Sequence, residues 1–185
     1  DYRLMYIKGL TLQRAERVPE AINYFEKAIE INPNDVSMLS TLALAYDGQG
    51  NFKESAEIYE KALKIDPYNA LVLNNYAYNL SERGVDLDKA LEMSKISIEK
   101  DPGNASYLDT IGWIYFKLKK YKLAKENIEK SLSVNPNSAV VLEHLGDIYN
   151  AMKDYSGALQ YWKMSLEKNP NNSTLKEKID FYKIS

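Results

Sequence analysis

The sequence predicts an all-α protein: five helical hairpins stacked as a solenoid and closed by a C-terminal capping helix. Three observations carry this. Five of the six prolines, Pro33, Pro67, Pro102, Pro136 and Pro170, recur at spacings of 34, 35, 34 and 34 residues. Two amphipathic stretches lie within each interval. Small residues return at matching places in both stretches.

Each of the five prolines follows Asn or Asp, and an Asn lies one or two residues beyond: Asn-Pro-Asn, Asp-Pro-Tyr-Asn, Asp-Pro-Gly-Asn, Asn-Pro-Asn, Asn-Pro-Asn. Proline has no N–H and disfavours helix at the residue before it, so each motif closes one unit. The Asn, Asp or Ser that follows is available to cap the next helix. The expected repeats are 2–35, 36–69, 70–104, 105–138 and 139–172, forming one array, with the capping helix over 173–183.

The fourth unit shows the pattern most clearly. Leu108, Ile111, Gly112 and Tyr115 recur at helical spacing, then Ala124, Ile128 and Ser131 after a turn at 119–121. The fifth has Leu142, Leu145, Gly146 and Tyr149, then Ala158, Trp162 and Ser165. The second has Leu39, Leu42, Ala43 and Tyr46, then Ser55, Tyr59 and Ala62. The first has Met5, Gly9 and Leu12, then Ala21, Phe25 and Ala28. Gly or Ala at the third marker is explained by close crossing of the two helices. The small residue late in each second helix (Ala28, Ala62, Ser97, Ser131, Ser165) is expected to admit the next repeat.

The third unit departs most. Its turn, 83–87, is one residue longer, and Ser94 replaces the bulky aromatic, so its second helix is expected to pack thinly. Pro19 is expected at the first position of the first unit's second helix, where a missing N–H does no harm. Leu175, Ile179 and Phe181 or Tyr182 mark the apolar side of the capping helix, which an array needs to cover its last face.

The pattern of a bulky residue, Leu-Gly, Tyr, Ala, an aromatic and Pro over 34 residues resembles the tetratricopeptide repeat. The resemblance covers nearly the whole chain. It implies a right-handed α-solenoid of helix-turn-helix repeats and a non-catalytic protein-binding role. The stretches 73–84 and 143–149 further resemble the C-terminal repeats of bacterial multi-repeat proteins, many of which are exported. The chain begins at Asp1, so an upstream region is expected.

Composition limits the function classes. The net charge is -2, and the basic cluster Lys117, Lys119, Lys120, Lys122 and Lys125 is followed by Glu126 and Glu129, which argues against nucleic acid. The chain has 15 Tyr against 4 Phe and 2 Trp, suiting a thin structure whose rings keep a polar tip in water. There is no Cys, so no thiolate metal site and no cysteine nucleophile. Cytoplasm and periplasm remain equally open. No apolar run is long enough to span a bilayer. His144 is the one histidine, with no nucleophile placed for a triad. Glu143 and Asp147 lie one helical turn apart beside it, and no metal is expected there. No Gly-rich phosphate loop occurs. The two glycosylation-like triplets, at 104–106 and 171–173, follow from the inter-repeat Asn. No enzyme activity and no cofactor are expected.

The resemblance also implies a groove. In that family the second, fifth, sixth, ninth, twelfth and thirteenth positions of each unit line the concave face. Ser40, Leu44, Asn74, Asn75, Tyr78, Asp109, Thr110, Trp113, Phe116, Glu143, His144 and Asp147 are the candidate contacts. Tyr78, Trp113 and Phe116 form an expected aromatic floor, and Asp47, Glu82, Asp109, Glu143 and Asp147 an expected acidic rim. The Lys/Asn/Lys/Arg clamp of chaperone-tail binders is absent, because those positions hold mostly Ser, Thr, Asn, Leu and acids. The Asn ladder of glycosyltransferase-type repeats is absent too: the sixth positions read Ile7, Thr41, Asn75, Thr110, His144. The expected function is a scaffold that binds a partner protein or peptide with a basic or apolar segment. The alternatives are a self-assembling scaffold, in which repeat faces stack between chains, and a non-catalytic domain of a larger protein.

Overall fold

A computed structural model describes residues 1–184, with side chains through Tyr182. Within them the chain forms eleven α-helices and no strand. The helices come in pairs: α1 (Tyr2–Arg14) with α2 (Val18–Ile31), α3 (Val36–Gly48) with α4 (Phe52–Ile65), α7 (Ala105–Lys117) with α8 (Tyr121–Val134), and α9 (Ala139–Ala151) with α10 (Tyr155–Lys168). The third repeat holds α5 (Ala70–Arg83) and α6 (Leu87–Lys100), and α11 (Ser173–Ile184) closes the series. Pro19 stands at the second residue of α2, since the helix already begins at Val18.

The proline motif sets every helix start that follows it. The residue two beyond each proline accepts a hydrogen bond from a backbone N–H in the first turn: Asp35 from Met38, Asn69 from Val72, Asn104 from Ser106 and Tyr107, Ser138 from Val141, Asn172 from Leu175. These N–H groups have no partner inside the helix, so the cap fixes where it begins. The inter-helix turns share a second device. Glu16, Gly50, Gly84, Lys119 and Lys153, at the same place in five successive turns, all adopt left-handed backbone, with φ between 60° and 74°. Only two of the five are glycine.

The helices gather into two compact units, residues 1–79 and from Leu80 on, the division falling within α5. In the first, Gly9 lies under the ring of Phe25, where a Cβ would sit 2.5 Å from Cε1. Phe25 is fully buried, with Tyr6 tilted against it at 5.6 Å. In the next repeat Tyr59 fills the same role and stacks on Tyr76 at 5.1 Å.

In the second unit a Cβ on Gly112 would meet Ile128 at 2.8 Å, and one on Gly146 would meet the Trp162 indole at 2.3 Å. Ala124 and Ile128 of α8 pack on Val141, Leu145 and Ile148 of α9. Ala158 and Trp162 of α10 are covered by Leu175 and Ile179 of α11, as the capping role requires. Phe181 points to solvent, and Tyr182 packs against Trp162. The late serines do more than leave room. Ser131 donates to the carbonyl of Ala105 at 2.7 Å and Ser165 to that of Ala139 at 2.8 Å, pinning each second helix to the start of its own first helix. Ser94, in the place of an aromatic, is fully buried and its hydroxyl has no hydrogen-bond partner among the described residues.

Candidate functional site

The first helices of the first unit are joined by a row of polar bonds. Tyr6 Oη and Thr41 Oγ1 lie 2.8 Å apart, linking α1 to α3. Asn75 donates to Ser40 Oγ at 3.3 Å, linking α3 to α5. Ser40 and Asn75 are therefore partly used between repeats. Asn74 is buried, and its side-chain oxygen has no partner among the described residues. Tyr78 is half-buried. Asp47 accepts from Tyr59 Oη at 2.9 Å and from Asn79 at 2.7 Å. Burial, then the Asp47 carboxylate, pushes the Tyr59 hydroxyl far above the ordinary tyrosine range. Ile7, Leu44 and Leu71 keep 58%, 44% and 53% of their surface exposed. Leu44 lies three residues from Thr41 and Leu71 four from Asn75, one turn away on the same face, and Ile7 holds in α1 the place that Thr41 and Asn75 hold in α3 and α5.

In the second unit the expected aromatic floor is a closed stack. Trp113 lies between Phe116, at 4.6 Å and 14°, and His144, at 3.9 Å and 15°. Its indole N–H donates to the Glu82 carboxylate, and Lys117 Nζ lies 4.9 Å from its ring centroid. Only 7% of Trp113 is exposed, so the ring is a wall between α7 and α9 more than an open floor. Phe116 is half-buried and packs on the α8–α9 core. His144 Nδ1 and Asp109 Oδ1 are 2.8 Å apart, both residues buried, and Thr110 beside them is buried as well. Among the described residues no group of three His, Cys, Asp or Glu side chains is placed to hold a metal ion.

The expected acidic rim is engaged from within. Asp147 accepts from Trp162 Nε1 at 2.9 Å and from Lys178 Nζ at 2.6 Å. Glu143 accepts from Asn172 at 2.9 Å and lies 3.8 Å from Lys178. Lys178 also stands 5.0 Å from the Trp162 ring centroid. Lys178 of the capping helix and Asn172, which caps it, thus both reach carboxylates of α9. Sequence reasoning treated α11 as an apolar cover and missed them. The signal was present: counted from Ser173, Lys178 holds the sixth position of one further unit.

The chain matches three family models, each described as a tetratricopeptide repeat, over residues 2–67, 105–138 and 141–172, in keeping with its hairpins, close glycine crossings and capped proline turns. The chain belongs to the tetratricopeptide repeat family. Among curated relatives it is 29% identical over 110 residues to Hsp70-Hsp90 organizing protein 3 of Arabidopsis thaliana, a match covering 56% of this chain and 18% of that protein. It is 30% identical over 136 residues to the type IV pilus assembly protein PilF of Pseudomonas aeruginosa, covering 71% of this chain and 53% of that protein. The chain therefore spans a fifth or less of the chaperone-organising relatives and about half of PilF. Among solved structures, a thermophilic TPR protein of Thermus thermophilus aligns over the whole of both chains with a TM-score of 0.84 at 20% identity. The type IV pilus biogenesis factor PilW aligns over 98% of this chain and 85% of its own, with a TM-score of 0.84 at 18% identity. These structural likenesses are of fold. Repeats of this family build protein–protein interaction scaffolds. Among the described residues no helix is long and apolar enough to cross a membrane.

Proposed function

We propose that this chain is a non-catalytic scaffold that holds a partner protein or peptide against the first-helix face of its repeats, and that the contact is aliphatic ahead of ionic. The observation that carries the reading is the exposed row Ile7, Leu44 and Leu71 beside the Tyr6–Thr41 and Ser40–Asn75 bonds. Isolated exposed aliphatics mean little; three at equivalent faces of successive helices make a strip. The carboxylates that would have drawn a basic partner already accept internal hydrogen bonds. Ser40, Leu44, Asn74, Asn75 and Tyr78 remain the contact positions in the first unit. Asp109, Thr110, Trp113, Phe116, Glu143, His144 and Asp147 are read as the wall behind a second contact face. The names of the relatives point to chaperone organisation and pilus assembly. Chaperone tails are not the expected partner here, because the basic clamp that would hold their carboxylate is absent.

Peptides selected from a random display library against the protein test this. Leu44→Glu with Leu71→Glu changes two exposed positions and should leave the helices intact. Support is a set of apolar peptides whose amide shift changes map to α1, α3 and α5 and whose binding the double variant loses. Equal binding to parent and variant refutes the face. Loss of self-association alone, with no effect on selected peptides, would favour the self-assembling scaffold instead.

A further inference from the structure

The turns of the fourth and fifth repeats carry a feature that neither the fold nor the groove uses. Lys119, Lys120 and Lys122 lie at the α7–α8 turn and Lys153 at the α9–α10 turn, all exposed. From the sequence, Glu126 and Glu129 stood ready to neutralise this cluster. The structure gives Glu129 to Lys125, at the far end of the cluster, at 3.7 Å, and Glu126 to Lys130, outside it, at 2.8 Å, so neither reaches the turn. Asp154, next to Lys153, uses a carboxylate oxygen to cap α10 through the Gly157 N–H at 2.9 Å. Among the described residues none of Lys119, Lys120, Lys122 and Lys153 carries an ion pair.

Three of these lysines, Lys119, Lys120 and Lys122, line a depression of about 460 Å³ together with Tyr121, Leu123 and Met152, and Lys153 follows Met152 in the chain. It is a shallow depression, open to solvent along most of its rim. Leu123 and Met152 expose their apolar parts at its walls. Methionine adapts its shape to varied apolar partners. Two of the lysines, Lys119 and Lys153, also hold left-handed backbone, at φ 60° and 66°. The equivalent turns of the second and third repeats use Gly50 and Gly84, which adopt it without strain. Lysine thus stands at two places where the backbone favours glycine, as Glu16 does in the first repeat.

We infer that the edge formed by these two turns is a second binding site, for an acidic peptide segment bearing one aliphatic side chain. Aspartates or glutamates of the segment face the lysines, and the aliphatic group enters the hollow against Leu123 and Met152. Charge complementarity sets the sign of the partner. Leu123 and Met152 line the depression and do not form the broad apolar helix face that a lipid surface would call for, which favours a peptide. The site lies on inter-helix turns and is independent of the first-helix face proposed above.

The probe is a fluorescent eight-residue peptide of Asp with one central Leu, followed by anisotropy at physiological salt and by amide shift mapping. The expected result is saturable binding, with shifts confined to residues 119–123 and 152–155. Lys119→Glu with Lys122→Glu should weaken it on the order of tenfold or more. Lys119→Gly with Lys153→Gly should weaken it as well while leaving the protein at least as stable, which separates lost charge from lost fold. The same peptide with Asn for Asp should not bind. A control pair, Lys163→Glu with Lys168→Glu on the exposed side of α10, makes an equal charge change elsewhere. If that control weakens binding as much, the attraction is one of net charge and the site is refuted. Sedimentation with phosphatidylserine vesicles that the lysine variants abolish, with no peptide binding, would also overturn it in favour of a membrane surface. Failure of the Leu44 and Leu71 experiment leaves these outcomes untouched.

Discussion

Gly146→Ala is the sharpest test of how the repeats are held. A methyl group there would lie 2.3 Å from Trp162 Cδ1, 2.5 Å from Nε1 and 3.0 Å from Cγ. Carbon atoms settle at roughly 3.5–4.0 Å, so the indole must retreat by about 1 Å. It has nowhere to go, being fully buried under Leu175 and Ile179. Overpacking of this kind costs about 1–3 kcal/mol. Retreat also draws the indole N–H from Asp147, a bond to a charged acceptor that contributes about 1.5–3 kcal/mol. Against this, Ala improves on Gly within a helix by about 0.8–1.0 kcal/mol. The expected net loss is about 2–5 kcal/mol. The control is Gly48→Ala: Gly48 is also helical, and a Cβ there meets nothing within 4 Å. It should gain up to about 1 kcal/mol. Urea unfolding followed by far-ultraviolet circular dichroism measures both. Trp162→Leu in the Gly146→Ala background should cost less than the two changes summed, since the smaller side chain removes the clash. Equal stability of the two alanine variants would refute the close-crossing account.

Four further outcomes follow from the same contacts. Lys178→Met should loosen α11 and cost about 1 kcal/mol, since the ion pairs it removes are partly exposed; hydrogen exchange of residues 173–182 reads this directly. Lys119→Gly and Lys153→Gly should each stabilise the fold by about 1 kcal/mol through relief of left-handed backbone, measured by urea midpoint. Asp35→Ala should cost about 1 kcal/mol by removing the cap on α3, with faster exchange at Met38 N–H. Tyr46 is pushed up to about 12 by burial and then by Glu26, and Tyr59 higher still by burial and Asp47. Unfolded tyrosines ionise near about 10. Above that pH the unfolded chain loses protons that the folded one keeps, so this contribution is full below pH ~10 and falls as pH rises toward ~12 and beyond. Melting temperature against pH should drop less steeply for Tyr59→Phe than for the parent.

The repeat was readable because its signals are local. A proline two residues before an Asx or Ser cap, or a Gly or Ala where two helices cross closely, stays diagnostic whatever surrounds it, and each recurs once per repeat. The site was readable only in part, because its outcome depends on pairing. Trp113 falls at an inward position on either reading. Whether it is a floor or a wall depends on His144, one repeat away, presenting its ring at 3.9 Å. Asp147 and Glu143 are acids in the sequence, yet Lys178, some thirty residues on, decides whether they are available. The basic cluster shows the converse. Neighbouring acids suggested neutralisation of the whole cluster, but i,i+4 geometry gives them to Lys125, its last member, and to Lys130 outside it, so Lys119, Lys120 and Lys122 gain nothing from them.

The placement of the carboxylates carries the functional argument further. Asp47 and Asp147 lie on first helices three repeats apart and at positions one helical turn different. Each nonetheless accepts from the ring tip of its own second helix, Tyr59 Oη or Trp162 Nε1, and from the next first-position helix, Asn79 or Lys178. The shift by one turn follows from the aromatic: a phenol hydroxyl and an indole N–H reach to different heights along the facing helix. One carboxylate therefore ties three helices, and it can do so only while turned inward. A partner carrying Lys or Arg would have to displace Asn79 or Lys178 to reach it, and would gain little by exchanging one donor for another. The exposed aliphatic strip carries no such prior engagement, and the unpaired lysines of the two turns carry none either. The same hydrogen bonds that hold the repeats together thus leave two kinds of surface open, one apolar and one cationic, and these are where a partner has free energy to gain.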